Sequence, residues 1–237
     1  MPAAAINARR PLKPVGALPP ATMWVKSDAQ VWQDTVGGTL AATDSQPAAA
    51  WSDQSGNGNH LLSGNAATYK TGQINGLPSV RFDGVADYLQ NTMSGMAPPF
   101  DLFMMVKQIA WAGNVIVAGR SLNSFQVTQH SATPQLWIYS GGGFGGANSN
   151  LAVGAWGLVE AGVPYGSASY LKVNNTAATI GSTASGAGPG GLFIGCTGGP
   201  QAFCSMDVAE IILYTGVLSP SDAASVRAYF TGRYGIP

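Results

Sequence analysis

Residues 209–236 read Ala209-Glu-Ile-Ile-Leu-Tyr214-Thr-Gly-Val-Leu218-Ser-Pro-Ser-Asp222-Ala-Ala-Ser-Val226-Arg-Ala-Tyr-Phe230-Thr-Gly-Arg-Tyr-Gly-Ile236. The first six form an apolar run of strand length. The rest carries the start signals of a helix. Ser219 caps it, Pro220 fills the first helical position, and Asp222 completes a Ser-x-x-Asp pattern resembling a capping box. Val226, Tyr229 and Phe230 make an i, i+3, i+4 stripe that must dock on a sheet. Gly232 reads as the stop. No other segment carries such signals, so the chain is read as all-β with a single C-terminal helix.

Upstream, the expected strands run over 100–109, 113–119, 124–129, 135–140, 154–163, 169–173, 192–194 and 209–214. Met23 to Trp32 supplies two short apolar pairs around a polar bend. Asn174-Asn175 reads as a tight hairpin turn, because Asn tolerates positive φ. Trp51-Ser-Asp-Gln-Ser-Gly-Asn-Gly-Asn-His60 is dense turn chemistry. The stretches 37–46, 141–150 and 181–191 read as loops. Composition agrees with this picture. Only 9% of the 237 residues are charged, and there are 32 glycines and 15 prolines. Helical bundles need charged outer faces; short strands with Gly-rich turns do not. No repeat of 20–50 residues recurs, which sets solenoids and propellers aside.

Residues 1–21 stand apart as an extended, Pro-rich basic arm, and 22–237 form one domain. Arg9, Arg10 and Lys13 are the arm's partner-anchoring candidates. Formal charge is zero overall, but with the arm's cations set aside the body is slightly acidic, so nucleic acid is not an expected partner. No apolar stretch approaches membrane-spanning length. The first residues lack a secretory pattern, so cytosolic synthesis and assembly is the expectation. Cys196 and Cys204 match no metal or redox spacing. They read as two small buried side chains, with a disulfide as the other option.

Several pieces together resemble the concanavalin A-like (laminin-G-like) family. They are the 51–60 turn, Pro78-Ser-Val-Arg-Phe-Asp-Gly84 with Asp87-Tyr-Leu89, the 156–163 strand, Tyr170-Leu-Lys-Val-Asn174, Leu192-Phe-Ile-Gly195 and the 209–236 ending. The resemblance covers residues 23–236. It implies a two-sheet antiparallel jelly-roll sandwich with the final helix bracing one edge. It also implies that calcium is the cofactor to consider. Asp53 and Asn57 (with Asn59), and Asp83 with Asp87, are the oxygen-rich groups a calcium ion would choose; the same residue types also make turns unaided.

Family members that cleave glycans present Glu-x-Asp-x-x-Glu on one strand. Here Glu160 and Glu210 are the only glutamates. Neither has a carboxylate two or four residues away, so the retaining geometry is not on one strand. His60 and His130 lie in turn and strand-end positions without a serine elbow. Among the aromatics, Trp111 in a turn and Phe144 in the glycine loop are the candidates for touching sugar, or for packing on a neighbouring subunit. The expectation reached is a non-enzymatic virion structural or attachment protein of phage decoration or fibre type. It would be held by residues 1–21 on other virion or shell proteins, be homo-oligomeric or part of a larger assembly, and display a jelly roll to cell-surface glycans. The alternative is a free carbohydrate-binding module of a bacterial surface or secreted protein, and a weaker one is a glycoside hydrolase.

Overall fold

In the computed structural model, the described residues are 18–93, 96–121, 124–130, 134–141, 143–145, 149–164, 166–176, 179–183 and 190–236. The strands are β1 (Met23–Lys26), β2 (Val31–Trp32), β3 (Pro47–Trp51), β4 (Leu61–Ile74), β5 (Leu77–Asp83), β6 (Tyr88–Gln90), β7 (Phe100–Gln108) and β8 (Val115–Gly119). They continue with β9 (Gln126–Gln129), β10 (Leu136–Tyr139), β11 (Phe144–Gly145), β12 (Trp156–Val163), β13 (Ala168–Val173), β14 (Thr179–Thr183), β15 (Leu192–Ile194) and β16 (Ser205–Thr215). One helix, α1 (Pro220–Tyr234), closes the chain. Among the described residues, no helix is long and apolar enough to cross a membrane.

All strands belong to one antiparallel sheet in the order β11-β10-β9-β8-β15-β6-β4-β5-β16-β7-β12-β13-β14, with β1 on β16 and β2-β3 on β4. The pivot is β4. Its first half pairs with β6 and its second with β5, with register shifts between Ser63 and Asn65 and between Lys70 and Ile74. The sheet therefore bends along β4 into two wings. Their far edges approach where β10 and β11 meet β13 and β14, so the sheet is nearly closed into a barrel.

Alternation decides what lies inside. Trp51, Leu61, Leu89, Ile194, Val117, Val127 and Ile138 from one wing meet Leu102, Met104, Val159 and Leu171 from the other in the main core. Phe100 and Phe125 cross edge-to-face at 5.1 Å. Cys196 and Cys204 are buried free thiols, and burial pushes the Cys204 thiol up to about 12.

The outer face of the β5-β16-β7-β12 wing holds a second apolar layer. Phe103, Met105, Leu158 and Ile212 are covered there by Val226, Phe230 and Tyr234 of α1. The helix starts as its sequence dictates: Ser219 Oγ accepts the Asp222 N–H at 3.1 Å. Its end differs. Gly232 lies within the helix, and Gly235, at φ +67°, is the left-handed cap whose N–H bonds to the Thr231 carbonyl. Two of the expected loops also carry strands, β11 within 141–150 and β14 beginning just before 181. Asn174 and Asn175 adopt φ +50° and +57°, the tight turn their side chains favour.

Candidate functional site

With α1 covering one wing, the outer face of the other wing is left open by the described residues. Its floor is a transverse row made by register alone. Trp32 lies opposite Ala50, Ala50 opposite Leu62, and Leu62 opposite Gln90. Gln90 in turn pairs with Phe193, and Phe193 with Ala118. The row continues through Gln126 to Tyr139. Directly opposed residues share a face, so every member points away from the core residues that alternate with it.

Two adjoining hollows of about 320 and 310 Å³ lie over the first part of this row and share His60 and Leu62. At one end stands Trp32, whose indole N–H donates to Ser52 Oγ at 2.8 Å. The 34–39 loop folds against it. The Asp34 carboxylate accepts the N–H groups of Val36, Gly38 and Thr39 at 3.0 Å each. The Gly38 N–H leads the other backbone donors in holding that carboxyl below its usual range, against the opposing effect of burial. Gly37, at φ +78°, lets the backbone turn beside the indole. In the middle, Leu62 is 43% exposed. His60 accepts the Asp53 N–H on Nδ1 at 3.0 Å, which places the ring's own proton on Nε2. At the other end Arg120 donates to Gln90 Oε1 at 2.9 Å and lies over Phe193, 5.8 Å from its centroid. Tyr88 stacks on that same ring at 5.8 Å. Chemically, the hollow offers an indole, an aliphatic step, an imidazole, amides and a guanidinium.

Trp111 is half-buried against the main core, and its indole N–H donates to the His130 carbonyl at 3.0 Å. His130 stacks on Trp137 at 3.5 Å. Phe144 stands opposite Tyr139, so its backbone extends the open-face row; its side chain lies outside the described residues, as do Arg9, Arg10 and Lys13.

The oxygen-rich groups organise turns. Asp53 accepts the N–H groups of Trp24, Ser55 and Asn59 and the Ser55 hydroxyl. Asn57 donates to the Ala21 and Thr22 carbonyls. Asp83 Oδ1 accepts the N–H groups of Val85, Ala86 and Asp87. No three His, Cys, Asp or Glu among the described residues come together as a metal centre. Burial, with the Asp83 charge second, pushes the Asp87 carboxyl up to about 6. The folded state then binds this proton more tightly than the unfolded chain does, at about 3.9. Its contribution to stability grows as pH falls from above 6 towards 4 and is lost as pH rises. Asp87→Asn is expected to flatten that part of the profile, read as the variant-minus-parent difference in urea midpoint at pH 7.5 and pH 5.

The buried carboxylates have partners from other elements. Glu160 meets Arg227 Nη1 at 2.7 Å and Lys172 Nζ at 3.7 Å. The Tyr170 hydroxyl donates within 3.0 Å of Asp101 and 3.2 Å of Glu160, so these two acids flank one phenol. A search along single strands misses this pair, because Asp101 is on β7 and Glu160 on β12.

No protein-family model matches the chain, and no curated protein does. Its fold is similar to solved structures. Trypanosoma rangeli sialidase in complex with sialic acid matches 90% of the chain at TM-score 0.62 and 13% identity, over 33% of the sialidase. Domain 4 of the GH43 extracellular arabinanase AbnA from Geobacillus stearothermophilus, in complex with arabinotriose, matches over its full length and 78% of this chain, at TM-score 0.57 and 14% identity. A GH54 α-L-arabinofuranosidase matches 78% of this chain and 50% of its own length, at TM-score 0.58 and 12% identity. The chain thus spans about a third of the sialidase. These likenesses overturn the virion reading and the expectation of a protein with no enzymatic connection, since the matched structures are carbohydrate-active enzymes or a domain of one. The virion reading rested on the N-terminal arm, most of which is outside the described residues, and on a low-charge β composition, which does not by itself mark a virion protein. What the likenesses establish is the fold, a lectin-like antiparallel β domain.

Proposed function

We propose that this chain is a carbohydrate-binding module of concanavalin A-like jelly-roll type, serving a carbohydrate-active protein at a bacterial surface or in secretion, and that it binds saccharide across the open wing. The observation that carries this reading is the Trp32–Leu62–Gln90–Phe193 row with its hollow. Sugar rings present apolar faces to aromatic side chains and hydroxyls to amides, and the hollow over this row offers the Trp32 indole, Leu62 and the Gln90 amide. The match to the arabinanase domain over that domain's entire length supports a unit of this size working as a module.

Trp32→Ala tests it. Losing a stacked, half-buried indole is expected to cost about 1.5–3 kcal/mol of binding, a ten- to hundredfold weaker Kd. Calorimetric titration of the full chain with arabinotriose and a panel of neutral and acidic oligosaccharides reads this directly. Absence of saccharide binding across the panel, or unchanged affinity in the variant, would remove the reading. Thermal melts of the variant separate a lost contact from a lost fold.

A further inference from the structure

Charge is scarce in this protein, and most of the described cations are paired in place. Among the described residues, Lys70, Arg81, Lys107, Lys172, Arg227 and Arg233 each lie against a carboxylate. Lys26 and Arg120 do not. Lys26 lies over Trp24 on β1, a residue of the helix-covered layer. Arg120 stands at the end of the open-wing hollow, which no acidic side chain lines among the described residues.

Its guanidinium is also held in place. The backbone N–H of Arg120 donates to the Gly191 carbonyl at 3.0 Å. One η-nitrogen is fixed by Gln90 Oε1, and the plane rests over Phe193, which Tyr88 backs. Gln90 is neutral, so it orients the cation without cancelling its charge. A guanidinium fixed through one nitrogen, with its remaining N–H groups uncommitted to any carboxylate, is a fork suited to a planar anion.

We infer that the hollow selects saccharides bearing a carboxylate, sugar acids of the uronate class, with Arg120 as the specificity-determining residue that meets the acid group. This rests on the binding reading given above and narrows it to one ligand class. No covalent step is involved: Arg120 keeps its proton and the ligand keeps its carboxylate.

The test is a matched pair of ligands, tetragalacturonate and its fully methyl-esterified form, which keeps the sugar rings and removes the charge. Calorimetric titration of the full chain at low salt is expected to show the acid form at least tenfold tighter. That advantage is expected to shrink as ionic strength rises and screening grows. Arg120→Gln is expected to erase the difference, the acid form losing at least tenfold more affinity than the ester. Arg120→Lys is expected to restore only part of it, because an ammonium lacks the fork. Equal affinity for acid and ester in the parent protein overturns the inference, and so does an Arg120→Gln variant that still prefers the acid or weakens both forms alike. If arabinotriose or the ester binds and the acid binds no better, the acid selectivity falls and the module reading stands. If no saccharide of either charge binds, both fall. Arg120 is an exposed side chain, so the variant's unchanged thermal melt serves as the fold control.

Discussion

Glu210→Ala is expected to cost about 3–5 kcal/mol of folding stability, the range for removing one partner of a buried charge network. Glu210 is fully buried, and two elements, β1 and α1, converge on it. Trp24 on β1 donates its indole N–H. Tyr229 and Tyr234 of α1 donate hydroxyls at 2.9 and 2.6 Å, and Arg233 donates Nε at 3.1 Å. Burial pushes this carboxyl above its usual range, against the opposing donors. Alanine would leave two phenols and an indole N–H without their acceptor in an apolar layer, each an unsatisfied group costing about 1–3 kcal/mol. Arg233 retains Asp28 at 2.6 Å and is the least affected. Glu210→Gln keeps an oxygen for two of the donors and is expected to lose markedly less. Urea denaturation of both variants reads the difference, and equal, small losses would show that α1 is held by its apolar stripe alone.

Gly191→Ala is expected to be nearly as damaging, for a reason of space. Gly191 has φ +128°, a region side chains rarely enter, and a Cβ there would lie 2.3 Å from the Asn91 carbonyl oxygen and 3.1 Å from the Met93 nitrogen. Both are backbone atoms, so no rotamer change relieves the contact. Strain of about 1–3 kcal/mol and overpacking of similar size together suggest a loss of about 3 kcal/mol or more. For a chain of this length that lowers Tm by roughly 6–12 °C. Gly166→Ala is the control: φ is +65° there, but a Cβ meets nothing within 4 Å, so only about 1 kcal/mol is at stake. Because the Gly191 carbonyl receives the Arg120 N–H, the same change is expected to weaken saccharide affinity beyond what the melting shift explains.

What the sequence announces and what it hides divide along physical lines. The helix is legible because its signals are local: Ser219, Pro220 and the Val226–Phe230 stripe act within a few residues of themselves. Its end is misread because Gly232 and Gly235 look alike on paper, and only backbone conformation separates a helical glycine from a left-handed one. The pivot strand β4 is missed because Leu61-Leu-Ser-Gly-Asn65 shows no clean alternation. A strand that bends and changes partners halfway has no single face to declare. The open-wing row is less legible still. Trp32, Leu62, Gln90 and Phe193 are spread over more than 160 residues, and inter-strand register alone makes them neighbours. Trp111 drew attention for lying in a turn, but its indole leans on the core. Arg120 carries no motif at all. Its meaning comes from the absence of a carboxylate beside it, which cannot be read along the chain.

The transverse row also works as a ruler. Neighbouring strands lie about 4.8 Å apart, so Trp32 on β2 and Phe193 on β15, four strand steps away, are separated by roughly 19 Å. A monosaccharide spans one division and must choose the indole or the guanidinium. A polymer laid across the strands reaches both ends, and once one end is seated the other meets its ligand at a high effective concentration. Affinity should therefore climb with chain length until the oligomer covers the span, then level off. The protein would thus distinguish a polysaccharide from its own breakdown products by counting strands.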